Sequence, residues 1–102
     1  MEALEITRLN GERTFRLEGE LDVLSAPRLL EAFAGMSGEA DGQATIDLSG
    51  LTFMDSSGLH ALIDIAHSQN GHGPLILERV PPMVLRLFEI TEMTRHPNLE
   101  IR

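Results

Sequence analysis

The residues best suited to take part in chemistry form one short segment, Asp55-Ser56-Ser57-Gly58. This segment directly precedes an apolar stretch with helical spacing. A helix needs a side-chain acceptor for the free N–H groups of its first turn, and an aspartate or serine there contributes about 1 kcal/mol. Capping explains one polar residue but not three in succession. A glycine in the first helical turn, here Gly58, destabilises the helix by roughly 1 kcal/mol relative to alanine. This cost suggests that a contact requires the backbone there to be free of a side chain. The segment is therefore a cap alone, or a cap that also presents a serine hydroxyl.

A second polar cluster precedes the first predicted helix, where Asp22 follows a predicted strand and Ser25 occupies the predicted N-cap. The strand before Asp22 could lie beside the strand that leads to Asp55. The two acids would then lie at the same end of the sheet, where ligand and partner sites of α/β proteins are commonly found. We therefore expect Asp22 to lie close to the Asp55–Gly58 segment.

The residues around this segment do not form a hydrolase or nucleotide site. A nucleophile elbow requires G-x-S-x-G, and the first glycine is missing here. His60 lies four residues after Ser56 on the following helix, and such a pair does not make a catalytic triad. The chain has no lysine and no phosphate-binding loop, so it is not expected to use ATP itself. These observations favour a binding protein without a cofactor over an enzyme.

Three residues with spacing i, i+4 and i+7, namely His60, Asp64 and His67, share one face of the predicted second helix. Histidine and carboxylate side chains at such spacing can hold a metal ion. The same pattern is also typical of the solvated face of an amphipathic helix, and no second cluster of ligands accompanies it. We therefore favour the solvated face and expect no metal.

Composition limits the class of partner. The 102 residues include no cysteine, carry a formal charge of −8, and have arginine as their only basic residue type. Nucleic acids and anionic membranes require a basic surface, and no apolar run approaches the roughly 18 residues that span a bilayer. Residues 37–73 contain acids but no arginine. A cytoplasmic protein of one domain, residues 1–102, that binds a basic protein partner is the resulting expectation.

The apolar patterns predict the element order β-β-α-β-α-β-α-(β). Two alternating runs flank Asn10-Gly11 and predict a hairpin. Strands are predicted over 44–51 and 75–80, with a short last strand in NLEIR, and the third helix over 81–90. The apolar positions expected to face the core are Leu29, Leu30, Phe33 and Met36 in the first helix, Leu59, Leu62, Ile63 and Ala66 in the second, and Val84, Leu85 and Phe88 in the third. Strands that alternate with helices imply parallel crossovers, so with a leading hairpin the sheet is mixed.

Three stretches between Leu17 and Thr91 carry a family resemblance: LEGELDVLSAPRLLEAF, IDLSGLTFMDSSGLHALI and VPPMVLRLFEIT. Together they resemble the STAS domain, specifically the small bacterial anti-sigma-factor antagonists. The resemblance implies an α/β fold with a mixed sheet and helices packed mainly on one side. It also implies partner switching, in which the unmodified domain binds an anti-sigma factor with serine kinase activity and frees the sigma factor. Phosphorylation of the first serine of D-S-S-G blocks binding, and a phosphatase reverses it.

Carried onto this sequence, the resemblance assigns phosphorylation to Ser56. The expected contact surface comprises Asp22, Ser25, Asp55, Ser56, Ser57, Gly58 and His60. Two positions depart from the family pattern: Thr91-Glu92-Met93 lacks the glycine common after the third helix, and His60 stands where small residues are common. The alternative is a STAS-type binding subunit of a lipid-transport ABC system or of a stressosome-like complex, without a phosphorylation switch. A monomer or weak homodimer is expected.

The charge of a phosphoserine decides how such a switch would work. A phosphate at a helix N-terminus is expected to meet free N–H groups, worth about 0.3–1 kcal/mol, while like charge on Asp55 costs about 1 kcal/mol per unit at roughly 6 Å. These contributions nearly cancel, so the fold should survive phosphorylation. A phosphate buried in an interface costs several kcal/mol, which corresponds to a 10²- to 10³-fold loss of affinity.

Overall fold

Within the described residues, 3–9, 13–34, 43–68, 73–92 and 97–102, the computed structural model contains five strands and three helices in the predicted order. The elements are β1 (Glu5–Arg8), β2 (Thr14–Leu21), α1 (Ala26–Ala34), β3 (Thr45–Met54), α2 (Ser56–His67), β4 (Leu75–Glu78), α3 (Pro82–Ile90) and β5 (Leu99–Ile101). The predicted Asn10-Gly11 turn, Met36 and Met93 lie outside the described residues. The short last strand is confirmed as β5.

The strands form one mixed sheet in the order β1-β2-β3-β4-β5, with β1 antiparallel to β2 and the other neighbours parallel. The order never reverses, so right-handed crossovers place all three helices on the same face. Burial along β2 agrees: Phe15, Leu17 and Leu21 are buried, whereas Glu18 on the opposite face is exposed. The predicted arrangement of helices on one side is therefore confirmed.

The core lies between this face of the sheet and the helices. Phe15 of β2 and Phe33 of α1 pack with ring centroids 4.6 Å apart, and α2 buries Leu59, Leu62 and Ile65. In α3, Val84 and Phe88 are buried as expected, but the prediction that Leu85 is buried is wrong, because it is only partly covered. Leu30 and Ile63 are likewise only partly buried at the edge of the core.

A buried carboxylate joins three strands on the uncovered face. Asp47 is 3% exposed, and its side chain accepts hydrogen bonds from Ser49 N–H at 2.9 Å and Arg79 Nη1 at 3.0 Å, with Arg16 Nε 3.5 Å away. Burial raises the pKa of Asp47, but the Ser49 hydrogen bonds and the charges of Arg79 and Arg16 outweigh it and hold the pKa below its ordinary value. This group ties Arg16 of β2 and Arg79, the residue after β4, to the first part of β3.

Candidate functional site

Two neighbouring parallel strands end together at one edge of the sheet. Leu21 of β2 pairs with Met54 of β3, after two register shifts that allow the longer β3 to end level with β2. Asp22 and Asp55 follow directly, and the Asp55 N–H lies 3.4 Å from the Leu21 carbonyl oxygen. The expectation that both acids lie at the same end of the sheet is therefore confirmed.

Asp55 is the residue that caps α2. Its backbone is extended, and its Oδ1 accepts hydrogen bonds from the N–H groups of Ser57 at 2.9 Å and Gly58 at 3.3 Å. The expectation that a phosphate on Ser56 meets free N–H groups is therefore wrong for these two donors, because the Asp55 carboxylate already occupies them. A phosphate here would lie beside a negative charge without these donors.

Gly58 has a packing reason that the sequence did not show. It is buried, and a Cβ atom added there would lie 2.8 Å from the carbonyl oxygen and Cγ of Leu21 and 2.7 Å from Cγ of Met54. The contact with a backbone oxygen cannot be relieved by turning a side chain. The uncovered backbone at Gly58 therefore serves the close approach of α2 to the strand ends of the same chain, and a contact between Gly58 and a partner stays a prediction.

The two serines of the segment differ in exposure. Ser56 is exposed, and its hydroxyl makes no hydrogen bond with another residue of the described part of the chain. Ser57 is partly buried, and its N–H is held by Asp55. An exposed hydroxyl is accessible to solvent and to a partner, so Ser56 is the more accessible of the two serines.

The turn before α1 holds its serine in a different way. Asp22 Oδ1 accepts from the N–H groups of Leu24 and Ser25, both at 3.0 Å. The Ser25 N–H, helped by its hydroxyl and the Leu24 N–H, holds the pKa of Asp22 below its ordinary value despite some burial. Ser25 occupies the predicted N-cap position, since its carbonyl oxygen accepts from Arg28 N–H. Its buried hydroxyl points away from the helix, however: it donates to the Glu20 carbonyl oxygen at 2.8 Å and accepts from Asp22 N–H at 2.9 Å.

Three large apolar side chains are exposed at this edge of the sheet. Val23 and Leu24, at the tip of the turn before α1, are 65% and 77% exposed, and Phe53, which precedes the capped segment by two residues, is 44% exposed. A cavity of about 230 Å³ adjoins Leu24, and Leu4, Glu20 and Arg28 also line it. Sequence reasoning missed these apolar residues. The signal was present: Val23 and Leu24 stand between a strand and a helix and belong to neither apolar pattern.

We define the strand-end surface as the set Asp22, Val23, Leu24, Phe53, Asp55 and Ser56. Among the other predicted contact residues, Ser25 and Gly58 are buried, Ser57 is partly buried, and His60 is exposed on α2. Asp64 and His67 are also exposed, and the described residues contain no group of three side chains suited to a metal ion. No helix in the described ranges is long and apolar enough to cross a membrane.

The family assignment follows from the comparison with protein families. A family model described as "Mlab, STAS domain" matches residues 6–100. The chain belongs to the STAS-domain family. The resemblance found in the sequence is thus confirmed, and it extends to the hairpin at one end and the last strand at the other.

Similar proteins of known sequence or structure agree with this assignment. The anti-sigma-B factor antagonist of Staphylococcus epidermidis is 35% identical over 78 residues, which cover 74% of this chain and 71% of the relative. An anti-sigma factor antagonist from Mycobacterium paratuberculosis superposes with a TM-score of 0.78 at 22% identity over 95% of this chain and 83% of that one. Phosphorylated SpoIIAA of Bacillus gives 0.68 at 19% identity, over 98% and 91%. At these identities the two structures establish the fold alone.

Proposed function

We propose that this STAS domain is an anti-sigma-factor antagonist whose strand-end surface binds an anti-sigma factor with serine kinase activity, and that phosphorylation of Ser56 ends the binding. One observation carries the proposal: an exposed serine, whose hydroxyl bonds to no other described residue, lies at the same edge of the sheet as exposed apolar side chains. The Staphylococcus epidermidis relative, named as an anti-sigma-B factor antagonist, supports the choice of partner. A phosphatase would return Ser56 to its free form.

The composition of the strand-end surface suits a protein partner. Val23, Leu24 and Phe53 supply apolar area that is desolvated on binding, and removal of apolar surface from water is the dominant favourable contribution to most protein–protein association. Asp22 and Asp55 supply negative charge, which increases the rate of encounter with a basic partner and selects against acidic ones. The partner face is therefore expected to combine an apolar centre with arginine or lysine side chains.

The phosphorylation step adds a new charge to the strand-end surface. The Ser56 oxygen attacks the γ-phosphorus of ATP bound to the kinase, ADP leaves, and the hydroxyl proton is released. The product carries roughly −1.5 to −2 charges at pH 7. Asp55 occupies the Ser57 and Gly58 N–H donors, and Arg28 Nη1 donates to the Leu4 carbonyl oxygen 2.7 Å away. We infer that the phosphate lies at the interface with the partner, where burial without a matching donor costs several kcal/mol.

Intact mass measurement tests the acceptor. The chain is incubated with the anti-sigma factor and ATP, and wild type is compared with Ser56→Ala and with Ser57→Ala. Wild type and Ser57→Ala should each gain one phosphoryl group, whereas Ser56→Ala should gain none. An equal gain on Ser56→Ala, or no gain on wild type, would refute Ser56 as the acceptor.

A binding titration tests the charge mechanism by comparing aspartate at position 56 with asparagine, which has nearly the same shape but no charge. Ser56→Asp should weaken binding of the anti-sigma factor at least about tenfold, since one buried unpaired charge costs more than 1.4 kcal/mol. Ser56→Asn should change it far less. Equal affinities for these two variants would exclude charge as the cause, and full affinity for Ser56→Asp would refute the proposal that charge at this position ends the binding.

A further inference from the structure

A second exposed apolar region lies on α3, away from the strand-end surface. Val84 and Phe88 face the core, and the opposite side of the helix carries Met83 and Ile90, which are 41% and 70% exposed. We define the α3 face as the residues that line a shallow groove of about 700 Å³, namely Pro82, Met83, Leu85, Arg86, Glu89 and Ile90. Exposed apolar side chains grouped in this way are typical of an interaction site.

The α3 face carries one positive and one negative side chain. Arg86 and Glu89 are both exposed, and neither forms an ion pair with another residue in the described ranges. They are the only charged residues of α3, so this helix is formally neutral in a chain whose formal charge is −8. Two copies of an acidic chain repel each other over most of their surface, and a neutral apolar face reduces that repulsion.

The positions of these residues match a second copy of the same helix. When two identical helices pack antiparallel about a two-fold axis, each contact occurs twice. If Arg86 of one copy lies opposite Glu89 of the other, nearly the same register places Ile90 opposite Met83. One arrangement therefore satisfies both charges and covers both exposed apolar side chains.

We propose that the α3 face is where two copies of this chain associate, with α3 antiparallel to its symmetry mate, Arg86 paired with Glu89 and Ile90 packed on Met83. The nine residues of α3 span only about 13 Å, so the contact falls below the 1,200–2,000 Å² of a stable interface. The dimer is accordingly weak and depends on concentration. Since α3 connects β4 to β5, association leaves the turn between β2 and α1 open, and this inference does not depend on the proposed function.

Sedimentation equilibrium of the whole chain, from about 10 µM to about 1 mM, tests the association. The average mass of wild type should rise toward that of a dimer at the upper end of this range. Ile90→Glu should keep the chain monomeric, whereas Leu24→Glu, at the other exposed apolar region, should leave the association unchanged. A mass that stays monomeric for wild type, or a loss of association caused by Leu24→Glu, would overturn the proposal.

A charge exchange tests the antiparallel pairing itself. Arg86→Glu alone and Glu89→Arg alone each replace two attractive contacts by two repulsive ones, so each variant should self-associate at least about tenfold more weakly. Mixed together, the two variants restore opposite charges at both contacts and should form a heterodimer at least as well as wild type forms its dimer. Each position is exposed, and circular dichroism checks the fold. A mixture that remains monomeric would refute this pairing.

Discussion

The two turns that lead from a strand into a helix, Asp22–Ser25 and Asp55–Gly58, are built on the same plan. In each, the aspartate Oδ1 accepts hydrogen bonds from the N–H groups two and three residues later. In each, its carbonyl oxygen accepts from the N–H four residues later. Both turns start from paired strand ends. The backbone therefore places equivalent positions of the two turns in equivalent surroundings.

The side chains on this shared plan have different roles. The third residue after the aspartate is buried in both turns, as Ser25 in one and Gly58 in the other, and the first residue is exposed, as Val23 and Ser56. Ser25 therefore has its hydroxyl committed to the Glu20 carbonyl oxygen, whereas Ser56 has its hydroxyl free. Position within the turn, rather than residue type, decides which serine is available for modification.

The largest expected effect is at the buried third position of the second turn. Gly58→Val should lower the free energy of unfolding by about 3 kcal/mol or more, because its Cβ would press on the Leu21 carbonyl oxygen and overpacked sites typically cost 1–3 kcal/mol before added side-chain strain. Urea denaturation monitored by circular dichroism measures it. The adjacent Ser57→Val provides the control and should lose less than half as much. Equal losses at both positions would show that Gly58 is not the point of closest approach.

The second effect separates the two serines. Ser25→Ala should cost about 1–3 kcal/mol, because it leaves the buried Glu20 carbonyl oxygen and Asp22 N–H without their partner. Ser56→Ala should change stability by less than about 0.5 kcal/mol, as is usual for an exposed position. The same denaturation experiment compares them directly. If Ser56→Ala proved as costly as Ser25→Ala, the hydroxyl of Ser56 would have a structural role and the distinction drawn between the turns would fail.

Much of the fold could be predicted from the sequence because its signals are local. The alternation in β2, the Asp55 cap and the apolar spacing of α2 each depend on residues within a few positions of one another. Parallel crossovers then follow from the order of the elements. The alignment of Asp22 with Asp55 could be predicted for the same reason, since neighbouring parallel strands end at the same edge of the sheet.

The parts that could not be predicted depend on contacts between distant segments. The sequence identifies Gly58 as unusual, but only the position of Leu21, 37 residues earlier in the chain, explains it. The direction of the Ser25 hydroxyl depends on the Glu20 carbonyl oxygen, which an N-cap pattern does not specify. Leu85 fits the helical spacing of a core residue, yet it lies at the border of the groove on the outer side of α3 and is only partly buried. Assignments of single side chains to core or surface therefore required the structure.

The third effect concerns the cap of the second turn alone. Asp55→Ala should lower the free energy of unfolding by about 1 kcal/mol, the usual value for loss of an N-cap, because the Ser57 and Gly58 N–H groups lose their acceptor. Asp55→Asn and Asp55→Ser keep an acceptor and should recover most of that loss. Urea denaturation measures all three variants. A loss for Asp55→Asn equal to that for Asp55→Ala would mean that the charge, and not the hydrogen bonds, carries the contribution of Asp55.

The smallest effect is a change in the pH dependence of stability, and it distinguishes the first turn from the rest of the sheet. The Ser25 N–H lowers the pKa of Asp22 below its ordinary value of 3.8, so the folded chain binds fewer protons there than the unfolded chain. The stability contributed is complete above pH 3.8 and is lost as the pH falls through the lowered value. Asp47, whose pKa is also lowered, adds a loss of the same sign. Between about pH 5 and pH 2 the urea midpoint of wild type should decline. Asp22→Asn should reduce this decline, and the double variant Asp22→Asn, Asp47→Asn should reduce it further. A decline unchanged in the double variant would place the responsible carboxylates outside both groups.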